Sequence, residues 1–168
     1  TFDLYQRAMA STRRVFGLLG EQSSIVNGEN SLDRSAFRGE FTFEDVDFKY
    51  SGRDDLFHGF SWQVKAGDTV AVVGPTGSGK SSLVRMMLRF FDPQRGRLLL
   101  DGHDLRGFRL DSLRNIVGLV SQTPYLFPGT ILENIQYGLR GCTKEQAIQA
   151  AVDAEADSFI RDLPKQYD

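Results

Sequence analysis

Eight consecutive residues, Gly74-Pro75-Thr76-Gly77-Ser78-Gly79-Lys80-Ser81, constrain the fold of this chain more than any other part of it. They satisfy the pattern G-x-x-x-x-G-K-[ST], which has meaning only between a strand and a helix. The glycines let backbone N–H groups turn inward around phosphate oxygens, where side chains would obstruct them. Lys80 brings a mobile cation for β- and γ-phosphates, and Ser81 a hydroxyl suited to Mg2+. Thr76, Ser78 and Ser82 complete the residues expected to line the ligand. The flanks agree with this reading. Residues 69–73, Thr-Val-Ala-Val-Val, lack polar alternation, which predicts a strand buried on both faces. Leu83, Val84, Met87, Leu88 and Phe91 recur at helical spacing, which predicts a helix whose N-terminus points at the phosphates. The pattern predicts binding of a nucleoside triphosphate.

A chain of 168 residues suits one domain with a real core. Its net charge of -2 gives no basis for nucleic-acid binding. The basic clusters, Arg13-Arg14 and those within residues 106–114, are short and interrupted, as solvated surface is. A single cysteine, Cys142, rules out an internal disulfide and suits a reducing compartment. His58 and His103 have no metal-ligand neighbour at useful spacing. No apolar run approaches the ~18 residues needed to span a bilayer. The first residue is Thr1 and no signal peptide is visible, so the chain reads as a piece of something longer.

Three regions follow from the pattern along the chain. Residues 1–20 predict a helix with Tyr5, Ala8, Met9, Thr12, Val15, Phe16 and Leu19 on one face, either packed on its own domain or serving as a connector. Residues 21–38 are polar and rich in Ser, Asn and Gly, as linkers are. From residue 39 to 168 strand and helix patterns alternate. Phe41 and Phe43, then Val46, Phe48 and Tyr50, predict a strand whose phase shifts at Glu44-Asp45, as at a β-bulge. Phe60, Trp62 and Val64 predict the next strand, residues 97–101 another, and residues 116–120 a further apolar one. A short helix is expected near residues 110–114. Thr130 with Glu133, and Thr143 with Gln146, have capping-box spacing and mark two more helix starts. The second opens an Ala-rich helix with Ile148, Ala151 and Ala154 on one side. The expected class is therefore α/β, a P-loop core preceded by a small antiparallel β-layer.

Two residues outside the loop invite a role in the same site. Tyr50 ends a strand leading toward the P-loop, where an aromatic ring stacks on a purine or is simply an edge tyrosine. Gln122 follows the apolar run 116–120, where its amide oxygen reaches a metal or a water, or lies on the surface.

At this point the sequence resembles the nucleotide-binding domain of an ATP-binding cassette (ABC) transporter of the exporter type. Residues 41–50, Phe-Thr-Phe-Glu-Asp-Val-Asp-Phe-Lys-Tyr, are similar to that family's first strand, with Tyr50 at its adenine-stacking position. The P-loop matches completely. Ser121-Gln122-Thr123-Pro124-Tyr125-Leu126-Phe127 resembles the family's Q-loop, and Thr130-Ile131-Leu132-Glu133-Asn134-Ile135 the helix after it. The segment 2–19 is similar to the stretch by which such exporters leave their last transmembrane helix. The resemblance implies ATP and Mg2+ as ligands. Tyr50, Gly74, Thr76, Gly77, Ser78, Gly79, Lys80, Ser81 and Ser82 would bind the nucleotide, Ser81 and Gln122 the metal, and Lys80 and Gln122 would serve catalysis. It also implies a second nucleotide-binding domain, in a homo- or heterodimer, and a transmembrane domain reached through the Gln122 loop. The expected location is the cytoplasmic face of a membrane, and the transported substrate would not touch this segment.

Family members continue with a Leu-Ser-Gly-Gly-Gln-type signature, an apolar strand ending in Asp-Glu and a switch histidine. None of these motifs occurs in the 168 residues, so the domain reads as truncated before that strand, and this piece alone as inactive. Asp101 follows Leu98-Leu99-Leu100, but Gly102 after it fits the family's earlier turn better than a water-activating carboxylate. Two rival readings remain at the level of sequence: a P-loop kinase acting on a small molecule, and a non-catalytic nucleotide-binding module.

Overall fold

A computed structural model describes the chain except Thr1, Gln22, Arg34, Ala36 and Arg140; side chains of Phe2, Asp3, Leu4, Tyr5, Arg7, Ala8 and Ala10 also lie outside the described residues. Tyr5 and Ala8 of the expected helical face are thus not described. The chain divides into two compact units, Thr1–Leu110 and Asp111–Asp168, each taken by itself below.

The first unit contains helix α1 (Phe2–Gly20), strands β1 (Phe41–Phe48) and β2 (Phe57–Val64), helix α2 (Lys80–Met87), and strands β3 (Arg95–Leu100) and β4 (His103–Asp104). The strands form one antiparallel sheet in the order β2-β1-β3-β4. Alternation in β1 buries Phe41, Phe43, Val46 and Phe48 on one face. Between Phe43 and Val46 the ladder slips, and Asp45 takes a positive φ of 48°, so the bulge expected at Glu44-Asp45 is present. Gly96 sits opposite it at φ 77°, where a Cβ would run into the carbonyls of Glu44 and Asp45. Only glycine passes there. Leu98 and Leu100 of β3 complete the buried face.

Two strands expected from sequence do not form. Residues 69–73 have no regular structure, and Val73 is 88% exposed. Helix α3 (Leu110–Ile116) takes the start of the second apolar run, and residues 117–120 continue without a ladder, Val120 being 98% exposed. The physical reason is the same in both places. A strand exists only through pairing, and no described residue pairs with either run. The face of α2 also differs: Ser82, Leu83 and Met86 are buried, whereas Val84 is exposed. The helix ends at Met87; Leu88, its C-cap, still donates to the Val84 carbonyl and is buried, whereas Phe91 lies beyond the helix.

The described side chains of helix α1 are all exposed. Val15, Phe16, Leu18 and Leu19 are all more than half exposed. Residues within 21–38, by contrast, are strapped down. The N–H groups of Gly28 and Asn30 donate to Phe108 and Gly107 carbonyls, and the N–H of Arg109 donates back to Asn30. The N–H of Leu110 donates to Asn27 Oδ1 at 2.8 Å.

In the second unit α4 (Ile131–Gln136), α5 (Lys144–Asp153) and α6 (Asp157–Arg161) follow α3. Both capping boxes form, with Thr130 and Thr143 each accepting from the residue three positions on. Ala151, Ile160 and Tyr167 make a small core, against which Ile131, Leu132, Ile135 and Ile148 pack. Helix α6 has no counterpart in the sequence reading; Asp157 anchors it by accepting from Arg161 at 2.7 Å and from the Tyr167 hydroxyl at 2.6 Å.

Candidate nucleotide-binding site

The P-loop closes on itself before α2 begins. The Ser78 N–H donates to the Pro75 carbonyl at 3.3 Å, and the Gly79 carbonyl accepts from Ser82 and Leu83 to start the helix. Gly77 and Gly79 have φ of 87° and 94°, a region closed to most side chains. At Gly79 space is also denied, since a Cβ would lie 2.8 Å from the Phe57 ring. Phe57 and Leu56 thus form a wall on which the loop rests. Gly79 caps α2 without a side-chain hydrogen bond. The first-turn N–H groups of a helix have no intrahelical acceptor and carry the positive end of its dipole, which suits an anion.

Lys80 Nζ donates to the Gly74 and Pro75 carbonyls at 2.7 and 2.8 Å. The ammonium therefore lies over the loop, where a phosphate oxygen would compete for it. Thr76, Ser78 and Ser81 are exposed, so their hydroxyls are open to a ligand. Residues 70–73, Gly74 and Lys80 line a cleft of about 540 Å³ together with Phe57, Phe60 and Trp62.

Tyr50 lies within reach of this helix. Its hydroxyl and Ser82 Oγ are 2.8 Å apart, across 32 residues of sequence. Its ring meets Phe48 and Phe91 nearly at right angles, with centroids 5.0 and 5.1 Å away. Burial pushes the Tyr50 phenol up, but the Ser82 hydrogen bond and the charges of Arg85 and Arg53 outweigh it, and the net direction is down.

Gln122 belongs to the second unit, in a stretch, 121–127, that is exposed throughout. Ser121 Oγ donates to the Thr123 carbonyl at 2.8 Å. The far end of the loop is pinned by Asn134, which accepts from the Phe127 N–H at 2.8 Å and donates to the Phe127 carbonyl at 3.0 Å. Phe127 stacks on Tyr137 with centroids 4.1 Å apart. Among the described residues no cluster of His, Cys, Asp and Glu holds a metal. A Mg2+ would have to use hard neutral oxygens such as Ser81 Oγ together with phosphate oxygens, a donor set that fits that ion.

Asp101 has a different occupation. Its carboxylate accepts the N–H groups of Arg38, Gly39 and Glu40 at 2.8 to 3.3 Å. It anchors the entrance to β1 and is not a base for water. Phe57 escaped the sequence reading because the β1–β2 ladder slips again between Val46 and Phe48, so the Phe60–Trp62–Val64 alternation does not extrapolate back to it. The apolar pair Leu56-Phe57, just before that alternation, was the available signal.

A glycine loop opening a helix, a lysine laid over it and an aromatic bonded to the same helix define a P-loop nucleotide-binding domain. Residues 57–167 match the family model described as ABC transporter, and the chain belongs to that family. It is 40% identical over 167 residues to ABC transporter B family member 3 of Dictyostelium discoideum, covering 98% of this chain and 12% of that protein. It is 43% identical over 156 residues to ABC transporter B family member 19 of Arabidopsis thaliana, covering 91% of this chain and 12% of that one. A bacterial Atm1-family ABC exporter solved with ATP bound superposes with a TM-score of 0.83 at 36% identity, over 99% of this chain and 30% of the exporter. The resemblance drawn from residues 41–50, the P-loop and the Gln122 loop is therefore correct, as is the α/β fold with its antiparallel layer. The chain spans under a third of the length of these relatives.

Proposed function

We propose that this chain binds Mg-ATP as part of an ABC exporter and couples its hydrolysis, in a pair of such domains, to movement of a substrate across a membrane. The observation that carries the reading is the complete P-loop with Lys80 over it and Tyr50 bonded to its helix. Phosphoryl transfer is mostly positioning and electrostatics, which is what these residues supply. Backbone N–H groups of the loop hold the phosphates and Lys80 shifts from its two carbonyls to the β- and γ-oxygens. Ser81 would hold Mg2+ through its hydroxyl, an ion that would supply positive charge beside the phosphates, and the Tyr50 ring would stack on adenine. Gln122 would be the second protein residue to hold the metal, through its amide oxygen.

The 121–127 loop carries Tyr125 and Leu126 exposed beside the Phe127–Tyr137 stack, an apolar surface suited to a transmembrane domain. Helix α1, with its exposed Phe16 and Leu19, is the connector to that domain, and residues 21–38 link it to the nucleotide site. No described helix is long and apolar enough to cross a membrane. The chain's proposed place is the cytoplasmic face of a membrane, as part of an integral membrane protein. The test is substrate-stimulated ATP hydrolysis by the full-length protein in proteoliposomes. Gln122→Ala should keep ATP binding while stimulation by substrate is lost. Unchanged stimulation in that variant would remove Gln122 from the coupling route.

A further inference from the structure

We infer that Asn134 is a positioning residue for the 121–127 loop, its side-chain amide clasping the backbone of Phe127 so that Tyr125, Leu126 and Phe127 hold one shape. The inference rests on the proposed reading of that loop as the surface that meets a transmembrane domain. Residues 117–130 form neither helix nor strand, and 121–129 are exposed throughout. Such a loop has many shapes open to it, and fixing one costs conformational entropy. Asn134 opposes that cost. Its Oδ1 accepts from the Phe127 N–H at 2.8 Å, and its Nδ2 donates to the Phe127 carbonyl at 3.0 Å. The amide thus pairs with Phe127 as an opposite residue does in an antiparallel ladder. Nδ2 also donates to the Thr130 carbonyl at 2.9 Å, across the Pro128-Gly129 turn, and Glu133 accepts from the Thr130 N–H at 2.8 Å. Both ends of the turn are therefore held by neighbouring side chains of α4. Pairing of this kind needs a donor and an acceptor on one flat group, which an ionised carboxylate lacks.

The clasp is mounted on a firm base. Ile131, Leu132 and Ile135 of α4 pack against the Ala151, Ile160 and Tyr167 core, and the Leu132 N–H donates to the Tyr167 carbonyl at 2.9 Å. Beyond the clasp, the Phe127 ring stacks on Tyr137 and meets Tyr125 edge-on, with centroids 5.0 Å apart. Tyr125 and Leu126 are 74% and 77% exposed. An apolar surface ordered before its partner arrives loses less entropy on docking. Asn134 therefore acts on docking through the loop, without itself having to touch the partner.

The experiment compares the full-length protein with its Asn134→Ala and Asn134→Asp variants in phosphatidylcholine nanodiscs. Hydrogen exchange reads the clasp, and chymotrypsin, which cuts after aromatic residues, reads cover over Tyr125. Both variants should exchange the Phe127 amide about ten-fold faster or more, as the loss of several hydrogen bonds requires. Cleavage after Tyr125 should accelerate about as much, while the Leu132 amide keeps its protection. Asn134→Asp has the same size and leaves no cavity, so a side chain that merely fills space would show no change there. Wild-type protection of Phe127 in Asn134→Asp would overturn the inference. Faster exchange without faster cleavage would overturn it too, because the docked surface would not depend on the clasp. Equal loss at Leu132 would mean that Asn134 holds the helix and not the loop, again overturning it. Rapid cleavage after Tyr125 in wild type would instead remove the docked loop itself, and the positioning role with it, even if the exchange result held.

Discussion

Arg89 reaches back along the chain and donates from Nη2 to the carbonyl oxygen of Val26 at 2.8 Å. Its side chain is 2% exposed, which makes it the most deeply buried charge described here. The same guanidinium donates from Nη1 to the Phe108 carbonyl at 3.2 Å and from Nε to Asp92 Oδ1 at 3.0 Å. A buried charge is tolerated only when paired and hydrogen-bonded, and Arg89 meets both conditions. It thereby ties the end of the P-loop helix to residues 26–30 and to the turn at Phe108.

Arg89→Leu should cost on the order of 3 kcal/mol, because it strands Asp92 and the two carbonyls in a partly dry site. Local hydrogen exchange in the full-length protein would measure it. Amides 26–30 should exchange faster in the variant. A change within about 0.5 kcal/mol, the usual range for surface sites, would show the cluster to be dispensable.

Gly28 tests the same strap from the other side. A Cβ there would collide with the backbone carbonyl of Gly107, which cannot rotate away as a side chain can. Gly28→Ala should cost about 1–3 kcal/mol, the range for overpacking. It should also speed exchange at the Asn30 and Arg109 amides. Protection equal to wild type would mean that the strap and the turn at 107–110 are not held together.

These two positions show what sequence reading reaches and where it stops. The P-loop, the β1 alternation with its bulge and both capping boxes were legible, because each is set by residues a few places apart. Arg89 was not, since its partners Val26 and Phe108 lie far along the chain and present only carbonyls, which every residue has. The strands expected at 69–73 and 116–120 failed for a related reason. An apolar run specifies burial, but a ladder needs a partner, and that partner is not written locally. For the site, Lys80, Ser81 and the loop glycines could be named from the motif. That Ser82 faces Tyr50 could not, because nothing in the motif states which way the second hydroxyl turns.

Asp101 gives a pH dependence with a definite sign. Burial raises its pKa, but the N–H groups of Glu40, Arg38 and Gly39 and the Arg38 charge lower it more, and the net shift is below the ordinary 3.8. A depressed carboxyl stabilises the fold fully above 3.8, and that contribution disappears as pH falls through the lower folded value. Asp101→Asn should therefore be less stable than wild type at neutral pH, with the gap closing in strong acid. A gap constant across that range would mean that the negative charge contributes nothing to holding residues 38–40.

Thr143 should behave as an isolated cap. Its hydroxyl accepts from the Gln146 N–H at 3.3 Å and is exposed, so Thr143→Ala removes one helix-end bond and little else. A loss of about 1 kcal/mol is expected in thermal or urea unfolding. ATP affinity should not change, and a change there would show that α5 communicates with the nucleotide.

The most direct measurement is Mg-ATP affinity of the full-length protein with and without Lys80→Ala. Lys80 sits on the two loop carbonyls that frame the phosphate position, and no other described cation lies over the loop in this way. Wild type should bind Mg-ATP, and the variant should lose on the order of a hundred-fold or more in affinity, in keeping with the loss of a charge-assisted contact to phosphate. Equal affinity in the two proteins would contradict the assignment of residues 74–81 as the phosphate-binding loop.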